Sequence, residues 1–167
     1  MELENPIEEA RRYVANAEET IQKASYDPET KSYTDSKYVK TAGDILWKGC
    51  LIALDAVLHV RIGKGRPPIE KYKEAAGKRD RKLLQFVNTG YSTTHLAMGY
   101  DGNEDKRICD AGFEYANAII DRCALLYTGK KTMRITAQEQ ACICCFTEKS
   151  PIATATPQAS CRCRAGC

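Results

Sequence analysis

Apolar residues recur at three- and four-residue intervals through the first 129 positions of this chain and lose that period afterwards. Such spacing builds one apolar stripe on an α-helix. Asn5-Pro6 opens the first helix, since Asn caps and Pro suits the first turn. Ile7, Ala10, Tyr13, Val14, Ala17, Ile21 and Ala24 form its stripe, and Glu8 and Glu9 complement the dipole at its start. The polar segment SYDPETKSYTD then breaks the pattern.

Asp35 or Thr34 caps a longer second helix, expected to run to about Arg61. Its stripe contains Tyr38, Val39, Ala42, Ile45, Leu46, Cys50, Ala53, Leu54, Val57 and Val60. Gly43, Gly49 and the alanines make one face thin, which suits close helix contact. IGKGRPP reads as a loop. A short helix through Ile69, Tyr72 and Ala76 follows. Another begins at Asp80 and reaches about Met98, with Leu83, Leu84, Phe86, Val87 and Tyr91 inward. Gly99 to Asn103 is a turn. The last helix carries Ile108, Cys109, Gly112, Tyr115, Ala116, Ile119, Ile120, Cys123 and Leu126, with Gly129 as its expected stop. No segment alternates at period two, so no sheet is expected.

The predicted fold is therefore all-α, an antiparallel four- to five-helix up-and-down bundle over residues 1–129. Residues 130–167 form a Cys-rich appendage, expected to be irregular and disordered.

Charge sharpens that division. The chain carries 25 Lys/Arg and 22 Asp/Glu, a net of +3. Six of those bases and two of those acids lie from residue 130 onward, leaving +4 on the appendage and −1 on the body. A global attraction of the body to nucleic acid is therefore not indicated. MELENPIEEARR is acidic and lacks the apolar core of a secretory signal. No apolar run approaches the roughly 20 residues of a membrane helix. The expected compartment is the cytoplasm, where structural disulfides are rare. Cys50, Cys109 and Cys123 accordingly read as small buried hydrophobes.

The run KRDRKLLQFVNTGYSTTHLAMGYDG, with YTDSKYVKTAGDILWKGCLIALDAVL upstream, resembles a small bacterial family of uncharacterised helical proteins. More distantly, the order of elements is similar to HEPN domains, helical modules often found in RNases and toxins. The shared features are a second helix rich in small residues and a Gly-Tyr-Asp turn before an Ala-rich last helix. HEPN RNases place an Arg shortly before a His, for phosphate stabilisation and proton transfer. His59 has no such partner, and Arg81 lies 14 positions before His95. The resemblance thus implies a non-catalytic relative.

Candidate chemistry is sparse. Tyr91 and His95 share a helical face, with Tyr100 and Asp101 in the turn beyond. Two accounts fit: a polar ligand site, or a buried His and Tyr tying down the 99–103 turn. Lys78, Arg79, Arg81 and Lys82 form one basic run and Arg61, Lys64 and Arg66 another. They could grip a phosphate backbone with Tyr72 or Tyr91 stacking on bases, or they could be solvated helix faces. Asp44, Asp55, Asp110, Glu114 and Asp121 read as solvent-facing charges. In the appendage, Cys142, Cys144 and Cys145 form one cluster and Cys161, Cys163 and Cys167 a second. Together they are a candidate soft-metal site, although their spacing departs from paired Cys-x2-Cys knuckles. Acylation of those thiols and simple disorder are the alternatives.

The expectation is a binding or interaction module without catalytic activity or cofactor. Its partner would be a second copy of the chain, or another protein; the small-residue face of the second helix either invites that partner or is filled within the chain. The rival expectation is a nucleic-acid-acting enzyme or toxin assembling His95, Tyr91, Arg79 and Arg81 across helices.

Overall fold

The computed structural model describes residues 5–60 and 65–143, with side chains as far as Tyr127. The chain divides into two compact units, Met1–Lys131 and Thr132–Cys167. The first unit holds the bundle, and its helices begin where local chemistry dictates. Asn5 accepts a hydrogen bond from the Glu8 N–H at 3.3 Å and starts α1 (Pro6–Gln22). Asp35 accepts from Lys37 N–H at 3.0 Å and starts α2 (Ser36–Leu58). That helix ends before the expected Arg61. His59 adopts a left-handed conformation (φ 52°) and its N–H closes on the Asp55 carbonyl at 3.2 Å.

Next come α3 (Ile69–Arg79) and α4 (Arg81–Gly90), separated by a single extended residue, Asp80. Its carboxylate accepts from Leu83 N–H at 2.7 Å, capping α4. The expected helix from Asp80 to Met98 is instead two kinds of helix in series. From Tyr91 to Asp101 the backbone widens into a π-helical segment of 11 residues, unusually long for a form seen mostly as single-turn bulges. Thr89, Ser92, Thr93 and Thr94 each turn a hydroxyl onto the carbonyl four residues back. Such back-bonding competes with the amide ladder and bends helices.

The final helix, α5, spans Lys106–Ile143. Gly129 therefore does not stop it. One internal glycine costs only about 1 kcal/mol against alanine, too little to end a long helix by itself. Residues 144–167 lie outside the described residues, as do the side chains of all six C-terminal cysteines.

The absence of strands was also expected and needs correction. Tyr26–Asp27 (β1) and Ser32–Tyr33 (β2) pair antiparallel within the polar loop, and an isolated bridge joins Ser32 to Asp105. Tyr33 N–H also donates to the Glu104 carbonyl at 2.8 Å. This small ribbon ties the α1–α2 connection to the start of α5.

Contacts along the helices give their directions. Gly49 of α2 meets Tyr13 and Ala10 of α1, while the ribbon joins their adjacent ends, so the two are antiparallel. Gly43 meets Met98 and Gly99, and Trp47 meets Tyr91, so α2 runs against the π-segment. Gly112 meets Met98 and Gly90 meets Ile119, so α5 reverses direction again. Arg11 reaches Asp121 at 2.8 Å and closes the ring from α1 to α5. The body is thus an up-and-down bundle around Leu46, Leu54, Leu83, Met98, Ile119 and Ile120, all fully buried. No helix among the described residues is long and apolar enough to cross a membrane.

The thin face of α2 is used inside this bundle. A Cβ on Gly43 would lie 2.5 Å from the Gly99 nitrogen, and one on Gly49 would lie 2.9 Å from Tyr13 Cβ. Of the two expectations for these small residues, filling within the chain is the one seen: they admit α1 and the π-segment.

Candidate functional site

Where α2 crosses the π-segment, Trp47 and Leu51 lie one helical turn apart and face Tyr91 and His95. Arg66, Pro67, Ile69 and Tyr72 complete an open cleft of about 190 Å³. Three rings form its aromatic wall. Trp47 and His95 stack with centroids 5.8 Å apart and planes inclined by 26°. Tyr91 meets Trp47 edge-on at 5.4 Å and His95 at 5.2 Å. Separations in this range suit offset and edge-to-face aromatic contact. Lys73 Nζ sits 5.1 Å from the Tyr91 ring centroid, adding a cation at that wall.

His95 brings an anomaly. Its Nδ1 is buried and has no hydrogen-bond partner. Buried polar atoms are nearly always paired, so this unpaired nitrogen departs from the usual pattern. The expected alternative, a histidine that ties down the 99–103 turn, is therefore not what this nitrogen does.

A polar relay borders the same cleft. Tyr72, 1% exposed, donates its hydroxyl to Asp55 Oδ1 at 2.5 Å. Arg66 Nη2 approaches the other oxygen, Oδ2, at 3.5 Å. Burial, reinforced by the Asp55 carboxylate, pushes the Tyr72 phenol well above its ordinary range and keeps it a donor. Asp55 was expected to face solvent. It is instead half-buried, because α3 brings Tyr72 against it.

Of the six expected ligand-binding residues, Tyr91 and His95 line this cleft. Tyr100 and Asp101 are exposed and do not line it. Arg79 and Arg81 are exposed on α3 and α4 and do not line it either. The basic run around them is also divided in charge. Lys78 pairs with Glu74 at 2.7 Å, and Asp80 takes Arg122 of α5 through both carboxylate oxygens. That pairing holds the Asp80 carboxyl below the usual carboxylate range. Arg61 and Lys64 lie outside the described residues. Trp47, Leu51 and Pro67 were not anticipated as site residues, although a lone tryptophan on a small-residue helix was visible in the sequence.

Among the described residues no group of three or more His, Cys, Asp or Glu could hold a metal. Cys50, Cys109 and Cys123 are buried, as expected, and burial pushes the Cys109 and Cys123 thiols up to about 12. They are packing groups, not nucleophiles.

Residues 5–124 match the family model described as a domain of unknown function, DUF5618. No curated protein matches the chain. A solved structure described as a protein of unknown function from Dyadobacter fermentans is 35% identical, with a TM-score of 0.67. That similarity covers 74% of this chain and 97% of the other.

Proposed function

The chain belongs to the DUF5618 family of domains of unknown function, and we propose that it is a non-catalytic binding module whose working part is the Trp47–Tyr91–His95 cleft. One observation carries this reading: three rings, Trp47, Tyr91 and His95, wall an open cleft that Arg66 also lines. Concave, mostly apolar sites with a few placed polar groups are the usual form of small-molecule sites. Self-association through the small-residue face of α2 has no support, because that face is filled within the chain.

Trp47 is the chain's single tryptophan, so its fluorescence reports directly on the cleft. Titration with one-ring and two-ring aromatic fragments should give saturable changes. His95→Ala should weaken them at least tenfold, whereas Tyr100→Ala, remote from the cleft, should not. Fragments that leave Trp47 unchanged, or bind regardless of His95, would overturn the reading.

The rival reading, an RNA-acting enzyme of HEPN-like kind, is favoured by one fact: Arg66 and His95 line the same cleft. Incubation with single-stranded RNA tests it. Cleavage lost in both Arg66→Ala and His95→Ala would establish an enzyme; intact RNA would leave the binding module standing.

A further inference from the structure

We infer that the guest of this cleft is a planar aromatic ring bearing a carboxylate, a conclusion that rests on reading the cleft as a binding site. Shape comes first. A volume of about 190 Å³ holds roughly six waters at about 30 Å³ each, which is room for a ring with a short substituent. The wall is itself made of rings, Trp47, Tyr91 and His95, with Tyr72 alongside, so a flat aromatic guest gains stacking or edge contact on entry. A mononucleotide, with its sugar and phosphate, is too large to be enclosed.

Charge gives the second half. Arg66 lines the cleft with its side chain about half exposed (51%). Its contact with Asp55, at 3.5 Å, is at the outer limit of a hydrogen bond, while Tyr72 holds the other Asp55 oxygen at 2.5 Å. A guanidinium carries five donors in a fixed fork that matches a carboxylate, and one long contact leaves most of that capacity for a guest. Lys73 lies against the Tyr91 ring and brings a second positive charge near the aromatic wall without lining the cleft. The neighbouring acid on α3, Glu74, is engaged by Lys71 and Lys78, so it does not cancel them. An anion held by Arg66 lays its ring against the wall that Trp47, Tyr91 and His95 form.

Calorimetric titration of the full chain tests this with matched pairs. The acids are phenylacetate, 3-phenylpropionate and indole-3-carboxylate; their amides are the neutral controls, and adenosine monophosphate is the competing class. The acids should bind at least about tenfold tighter than the amides, as a charge-assisted bond to Arg predicts. Arg66→Gln should abolish that preference, and because the Arg66 side chain is about half exposed its loss should not unfold the chain. Lys73→Gln should weaken the acids about two- to threefold. Equal binding of acids and amides would overturn the anion assignment while leaving the cleft as a binding site. Binding by none of them, with Trp47 fluorescence unmoved, would overturn both. Tighter binding of the nucleotide than of every acid would replace carboxylate by phosphate and sink the inference.

Discussion

Trp47 of α2 and His95 of the π-segment stack at 5.8 Å, and this contact holds a buried imidazole nitrogen that has no hydrogen-bond partner. The energetics do not favour such an arrangement for stability alone. An aromatic pair adds about 0.5–1.5 kcal/mol beyond its buried area. Leaving a buried polar atom unpaired costs about 1–3 kcal/mol. A local choice that loses on stability is a mark of sites shaped by binding.

The first prediction follows from that imbalance. His95→Phe keeps a ring against Trp47 and Tyr91 and removes the orphan nitrogen. Stability in denaturant should be unchanged or rise by up to about 1 kcal/mol, while affinity for cleft ligands falls. A loss of more than about 1 kcal/mol would mean that Nδ1 is satisfied in solution.

Tyr72→Phe deletes one hydroxyl without opening the core. Asp55 is then left with the long Arg66 contact, and stability should drop by about 1.5–3 kcal/mol, the range for a bond to a charged group. The same bond sets a pH dependence. The Tyr72 phenol is raised above the ordinary value of about 10, so its contribution is complete below about pH 10 and declines as pH rises beyond it. Ultraviolet titration should show one tyrosine that ionises after the others or only on unfolding.

Asp80 works at the opposite end of the pH scale. It caps α4, pairs with Arg122 of α5, and its side chain is 13% exposed. Asp80→Ala should cost about 1–2 kcal/mol from the lost cap alone. Because Arg122 lowers its folded-state pKa, the stabilisation is present above the ordinary value of about 3.9 and fades as pH falls below it. Wild type and variant should therefore converge in stability in acid. Parallel acid profiles would remove Asp80 as the responsible carboxyl.

Two glycine-to-alanine changes separate propensity from packing. Either one gains about 1 kcal/mol of helix propensity. At Gly77 the added methyl meets Leu84 Cδ2 at 3.3 Å, the flexible tip of a half-buried side chain, so a net gain is expected. At Gly43 it meets the Gly99 nitrogen at 2.5 Å and the Thr94 carbonyl oxygen at 2.7 Å, backbone atoms that cannot rotate away. There the overpacking cost, about 1–3 kcal/mol or more, should win, and melting temperatures of the two variants should move in opposite directions.

Much of the bundle was legible because its information is local. Asn5-Pro6 and Asp35 begin helices through their own backbone N–H groups, and the three- and four-residue period identifies buried positions such as Val14, Leu46 and Ile119. The glycines of α2 announced a close helix contact. They did not announce whose helix would fill it, because a partner chain and a neighbouring element meet the same sterics.

The site was legible only in part. Tyr91 and His95 could be paired from their spacing, but the turn to a π-helix could not, since the same apolar pattern satisfies either hydrogen-bond ladder. Tyr100, grouped with them from the sequence, is exposed and lies outside the cleft.

By itself, then, the sequence determined where helices form, which faces they bury and the up-and-down order of their packing, since caps, periods and short connections act over a few residues. Only the tertiary structure decided that Trp47, Tyr72 and Arg66, drawn from α2, α3 and the loop between them, line one cleft with His95, and that Asp55 anchors Tyr72 and Arg66. The physical reason is that side-chain contacts across helices depend on the depth and rotation at which each pair packs. Those quantities are set at Gly43 and Gly99, where two backbones touch, and nothing in either local sequence specifies its partner.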